Sequence, residues 1–281
     1  MKTLKKLCVV SSLFWPNPNI FVAGWEVWVN VPYFLTAWWM LYWSIFLITR
    51  KGAEWSCRLI TLIHGSVVTY FAIKDIIVNK QSFDLEHNIP LSDYQKYYLS
   101  ITFSYFLFDL GWIHLFGSET FVIYLHHIVS ICFLFNAIWT NTGGPGISWG
   151  LAGLEFTNPY LQMRWFLRTH GYNHTTVHYV NEIWFVFTFV LIRSVGGTFL
   201  VFFVEIHPDI GIFTKICVFM IYIVSWLLMG QIFIFIKKKY WYRLRGIRLT
   251  TSRLGMFPYA VNRTRIINVP PDDDNGRNNS E

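Results

Sequence analysis

Two adjacent histidines, His126 and His127, sit inside an apolar run that offers them no polar neighbours along the chain. Ionisable groups in such surroundings are costly and mark functional positions. His64, Asp109, Glu155, Asn158, Arg164 and Arg193 lie in comparable runs. An imidazole held by a carboxylate keeps one tautomer and can act as a general base. A neutral imidazole is also a nucleophile able to attack a thioester. His126, His127 and Asp109 are therefore the candidate catalytic groups. His64, Glu155, Asn158, Arg164 and Arg193 are candidates for lining a polar cavity that binds a lipid, with Arg164 and Arg168 placed to hold a headgroup. Neighbours on a helix diverge by about 100°, so one imidazole of the pair can face a cavity while the other bonds an adjacent helix. No metal or other cofactor is expected, because adjacent histidines rarely chelate together and the four cysteines form no CxxC pair. For each residue alone, polar glue between helices is the competing explanation, with Asp109 pairing to Arg193 or His64 and Glu155 to Arg164 or Arg193.

The elements that must position these groups follow from composition. Of 281 residues, 54% are apolar, 20% aromatic and 14% charged, against about 25% charged in a soluble domain. Apolar runs long enough to cross a bilayer as helices recur along the chain. A soluble enzyme, a disordered chain and a coiled coil are excluded. The reading is an all-α membrane protein of about seven transmembrane helices, at roughly 25–49, 58–78, 97–116, 119–140, 145–168, 178–204 and 212–236. Residues 1–24 read as an N-terminal segment, uncleaved and interfacial, with Lys2, Lys5 and Lys6 ahead of a short apolar stretch. Residues 25–54 hold the first helix and its linker, 55–240 the main domain, and 241–281 a tail disordered at its end.

Charge sets an orientation. Arg50, Lys51, Arg58, Arg164, Arg168 and the block Lys237, Lys238, Lys239, Arg243, Arg245 and Arg248 fall on one side, and Asp84, Glu86, Asp93, Glu205 and Asp209 on the other. The positive side is expected to be cytoplasmic, with the C-terminus there. The basic block then serves as a juxtamembrane anchor on anionic lipid, not as a nucleic-acid site. The sequons at Asn173, Asn262 and Asn278 would face the cytosol and stay unglycosylated. Lys74 and Asp75 lie near the opposite end of the second span, where they can snorkel.

Depth brings the polar groups together. At 1.5 Å per residue, His64 lies roughly 9 Å, Asp109 about 12 Å, and His126 and His127 about 10–12 Å from the basic face; Asn158 lies about 15 Å and Glu155 about 20 Å from it. The fifth span is interrupted: Gly143, Gly144, Pro145 and Gly146 open it, Gly150 and Gly153 follow, and Asn158-Pro159 cuts it. Pro159 must kink or break the helix, and the carbonyls freed near 152–155 need partners in protein or water.

The stretch Tyr105–Asp109, the His126–His127 pair and the run from Glu155 through Asn158, Pro159, Gln162, Arg164 and Trp165 to Arg168 together resemble the TLC-domain family over about residues 55–240. The last run is most similar to the branch of TLC domain-containing proteins, its fifth group above all. The resemblance implies that six of the helices form a TLC-type barrel around an internal polar site, in the endoplasmic reticulum or another endomembrane. The ceramide synthases of that family carry a His-His pair, a later His-Asp, and a further Asp and Glu. Here Leu154 and Glu155 stand for the His-Asp, Asn158 for the Asp and Gln162 for the Glu, so acyl-transfer residues carry over only to His126 and His127. Three functions are weighed. The first is a cavity that binds a membrane lipid or acyl chain and affects membrane lipid composition. The second is a lipid acyltransferase that uses acyl-CoA. The third is a structural scaffold. A receptor or channel is disfavoured by polar groups gathered toward the basic face and by the lack of a charged pore ring.

Overall fold

The computed structural model describes residues 26–80, 89–117 and 119–244. The N-terminal segment 1–24, the acidic connection around Asp84 and Glu86, and the tail beyond 244 lie outside the described residues. The elements are α1 (Glu26–Thr49), α2 (Ala53–Val78), α3 (Asp93–Phe116), α4 (Phe121–Thr140), α5 (Gly144–Phe156), α6 (Asn158–Thr169), α7 (Thr176–Val190), a π-helix (Leu191–Gly196), α8 (Gly197–Ile206) and α9 (Ile212–Leu244). Six stretches are helical, long and apolar enough to cross a membrane: Val27–Thr49, Ala53–Val78, Asp93–Phe116, Phe121–Thr140, Thr176–Ile206 and Ile212–Lys239. This is an all-α, multi-pass membrane protein.

The remaining sequence-predicted span, 145–168, is where the chain departs from a single rod. It splits at Thr157 into α5 and α6, with Pro159 inside the first turn of α6. Proline there costs nothing, since first-turn N–H groups have no intrahelical acceptor. Neither short helix is by itself long enough to cross a membrane, so the expected fifth span is replaced by a broken pair of helices.

The helices close into a ring. α2 packs on α3, α3 on α4, α4 on α9, α9 on the α7–π–α8 crossing, that crossing on the α5–α6 pair, and the pair back on α2. α1 stays outside, laid along α3. Its buried stripe of Val31, Phe34, Trp38 and Tyr42 faces inward; Trp38 packs edge-on against Tyr105, and Trp39 against Phe108. Where lipid is as apolar as the side chains, close packing of this kind and interhelical hydrogen bonds hold helices together.

One end of the ring is tied by a polar knot. Ser92 caps α3 and exchanges bonds with Gln95, 2.9 and 3.2 Å, as a capping box. The Gln95 amide donates onward to Asp75 Oδ2 and to Ser148 Oγ, both at 3.0 Å. Tyr98 meets Ser148 at 2.8 Å, and Ser148 donates to Asp75 at 2.6 Å. Gly144 is required there, since a Cβ would come within 2.6 Å of Gln95 Oε1. Asp75 does not snorkel as its position near a helix end suggested. It is fully buried under donors from α2, α3 and α5, which replace the water it would otherwise seek. Lys74 alone stays exposed.

Candidate functional site

The ring encloses a cavity of about 630 Å³, mostly apolar, whose polar lining includes Asp109, His126, His127, Glu155, Asn158 and Arg193. At the end where α3 runs into α4 it is rimmed by Glu54, Arg58 and Glu119; at the other it reaches Thr142, Gly143 and Ile210. Pockets that bury small ligands run about 300–1,000 Å³.

The histidine pair divides its work as adjacency on a helix requires. His127 turns to α3, its Nε2 3.1 Å from Asp109 Oδ2. The other carboxylate oxygen accepts from the Cys57 thiol of α2 at 3.4 Å. The contact at Nε2 leaves Nδ1 as the free lone pair of a neutral ring, and that atom is buried without a partner. His127 thus offers neither nitrogen to a bound molecule. His126 is half-buried and lines the cavity, with its Nδ1 enclosed without a hydrogen-bond partner. Phe106 packs on both rings.

A second imidazole–carboxylate pair lies behind the wall. His64 Nδ1 is 3.7 Å from Glu155 Oε2, too long for a hydrogen bond, and the same Oε2 accepts from Asn158 Nδ2 at 2.6 Å. The His64 ring is fully buried and stacked on Tyr105 with centroids 3.7 Å apart. It supports Tyr105 and Glu155 from outside the cavity and does not line it. Close approach of α6 to α2 depends on Gly65, where a Cβ would sit 2.9 Å from Asn158 Cβ.

Arg193 answers the broken helix. It projects from the π-helix, a distortion that often accompanies functional sites. Its Nη2 donates to the Leu154 carbonyl at 3.0 Å and its Nη1 to Ser225 Oγ of α9 at 3.1 Å. The carbonyl released where α5 ends thus finds a protein donor, as the sequence demanded. Arg193 is 6% exposed, so the same cation lines the lumen and pins three crossings.

Arg164 is elsewhere. It is buried, does not line the cavity, and grips Glu182 of α7 through Nε and Nη2 at 3.2 and 3.1 Å. Glu182 also takes Lys239 of α9 and lies 3.4 Å from His178 Nε2. The expectation that Arg164 holds a headgroup is corrected accordingly: its fork is spent on a carboxylate. Arg168 is half-buried, also off the cavity lining. Neither expected pairing of Asp109 or Glu155 with an arginine forms as an ion pair; both face histidines. Glu182, His178 and the Asp75 knot were missed. Glu182 carried the signal that should have found it, a carboxylate inside the span expected at 178–204. Among the described residues no group of three His, Cys, Asp or Glu side chains is arranged to hold a metal ion.

Residues 54–244 match the family model of the TLC domain. The chain is 25% identical over 149 residues to TLC domain-containing protein 4 A of Dictyostelium discoideum, covering 50% of this chain and 56% of that protein. It thus spans little more than half the length of that curated relative. No solved structure matches.

Proposed function

The chain belongs to the TLC-domain family, and from that premise we propose that its lumen binds the acyl chain of a membrane lipid and so affects the lipid composition of its membrane. The family is linked to lipid metabolism or sensing. The observation that carries the reading is a ring of helices around a mostly apolar cavity with a few fixed polar groups in its lining, the usual make-up of a site for an amphipathic ligand. On α4 alone the lining runs from Ile123 to Ala137, about 21 Å of helix rise; one leaflet of hydrocarbon is about 15 Å thick. An acyl chain fits such a slot lengthwise. The membrane is taken to be the endoplasmic reticulum or another endomembrane, with the C-terminus in the cytoplasm.

A second reading, acyl transfer from acyl-CoA, is favoured by one feature: His126 lines the lumen beside the His127–Asp109 pair. In it His126 is base or nucleophile, and the His127–Asp109 pair fixes the α4 face from which it projects. The test is lipidomics of cells with and without the protein, and with the His126→Ala/His127→Ala double variant. Lipid binding alone predicts that the double variant still shifts lipid composition toward the wild-type profile wherever it folds. Acyl transfer predicts a profile equal to the deletion. A deletion that leaves the lipid profile unchanged would remove both readings.

A further inference from the structure

The lumen wall is breached on one side. Leu191 and Val195 line the cavity and are at the same time 47% and 55% exposed. Gly196 does the same. Across from them stand Gly150 and Trp149 of α5, also lining. A Cβ built at Gly150 or at Gly196 meets no atom within 4 Å, so no neighbouring side chain fills either position. The gap has a closed end: a Cβ at Gly153 would lie 3.2 Å from Ile192 Cγ2, where α5 and the π-helix touch. Beyond that contact α5 has at most marginal contact with α7 or α8, and the two crossings part toward Leu200 and the start of α5.

Two features leave the gap unfilled. The π-helix turns the chain out of α-helical register, and Gly196 at its end supplies no side chain to fill the space. On the α5 side, glycine at 150 does the same.

We propose that this gap is a lateral portal through which the acyl chain of a bilayer lipid enters the lumen. The inference rests on the reading of the lumen as an acyl-chain site and adds the source of its occupant: a lipid already dissolved in the membrane. The alternative way in is the rim of Glu54, Arg58 and Glu119. There Arg58 is bonded to Glu54 at 3.0 Å and to Gln162 at 3.4 Å; an apolar chain passing that rim would strip charged groups of water. At the portal it exchanges lipid for apolar wall at little cost.

The test uses full-length protein in phosphatidylcholine vesicles that carry a diazirine-labelled fatty acid. Photolabel is read at the inward-facing Ser130, Leu134 and Ala137 and at the outward-facing Ile128. Gly150→Phe fills the gap without meeting a neighbour and removes a helix-weakening glycine; Gly196→Phe fills it from the other flank and serves if the first variant fails to fold. In whichever plug variant elutes as a monodisperse protein, the initial rate of inward labelling falls about tenfold, with the long-time plateau and Ile128 labelling unchanged. Glu54→Trp at the rim labels at the wild-type rate. Plug variants that load as fast as wild type, or a rim variant that blocks loading, overturn the portal and leave the acyl-chain site standing. Wild-type protein without inward label overturns that site and the portal with it.

Discussion

At the scale of single residues, the two histidines of the pair are chemically unequal although they are adjacent. His127 holds Asp109 at 3.1 Å, and Asp109 also takes the Cys57 thiol; removing the carboxylate orphans two buried groups. Asp109→Ala is expected to destabilise the protein by about 2–3 kcal/mol, and His127→Ala by about 1–3 kcal/mol, read by denaturant unfolding in detergent. His126→Ala removes no bond and should unfold with the wild type within about 0.5 kcal/mol; equal losses at 126 and 127 would show that the division is wrong. Glu119, in the short connection between α3 and α4, adds a pH effect. Burial pushes its carboxyl from 4.5 up to about 7, against the pull of Arg58. The folded state therefore holds this proton more tightly than the unfolded chain does. That contribution to stability is complete below the unfolded value and is lost as pH rises through the folded one. Stability of the wild type should fall between about pH 5 and about pH 8 relative to Glu119→Gln, and parallel curves would refute the shift. These residues could be named from sequence because an ionisable group in an apolar run stands out. Their partners could not. Helices apolar around their whole circumference give no stripe from which to read rotation, so Asp109 was set against Arg193 or His64 when it faces His127, and Arg164 was set in the cavity when it faces Glu182.

At the scale of elements, the break at Thr157 and the π-helix opposite it are one device. α5 ends, the Leu154 carbonyl loses its backbone donor, and Arg193 supplies one while bonding Ser225 on α9. Arg193→Met is expected to cost about 3 kcal/mol, from two charge-assisted hydrogen bonds to buried acceptors. Pro159→Ala restores a backbone N–H and lets the helix run on, so Arg193→Met should cost less in that background. Additive losses in the double-mutant cycle would mean that break and clamp are independent. The break was legible, since Asn158-Pro159 in an apolar run leaves little choice. The π-helix was not, because nothing in Leu191–Gly196 forbids an ordinary helical turn. From that wider turn Arg193 bonds both Leu154 and Ser225, a tertiary contact that the sequence does not announce. Gln95, in the first turn of α3, likewise owes its importance to Asp75 and Ser148 meeting it from two other helices.

At the scale of the whole molecule, six helical segments close a ring with α1 laid outside it, around a space of about 630 Å³ lined by Asp109, His126, His127, Glu155, Asn158 and Arg193. Six of the seven expected spans were readable from hydropathy; the ring and its lumen followed only from the family likeness until the packing order was in hand. The orientation proposed from the basic residues puts the α6–α7 connection in the cytosol. Asn173 should therefore carry no glycan in cells, and a mass shift at Asn173 removed by deglycosylation would invert the topology. The central claim is that the lumen holds an acyl chain, and mass spectrometry of lipids carried through detergent purification tests it most directly. The wild type should retain a single acyl-chain lipid per molecule, and Ala137→Trp, which fills the lumen from α4, should lose it while the protein stays folded. Wild-type protein free of lipid, or the same lipid retained at the same level by Ala137→Trp, would contradict the account.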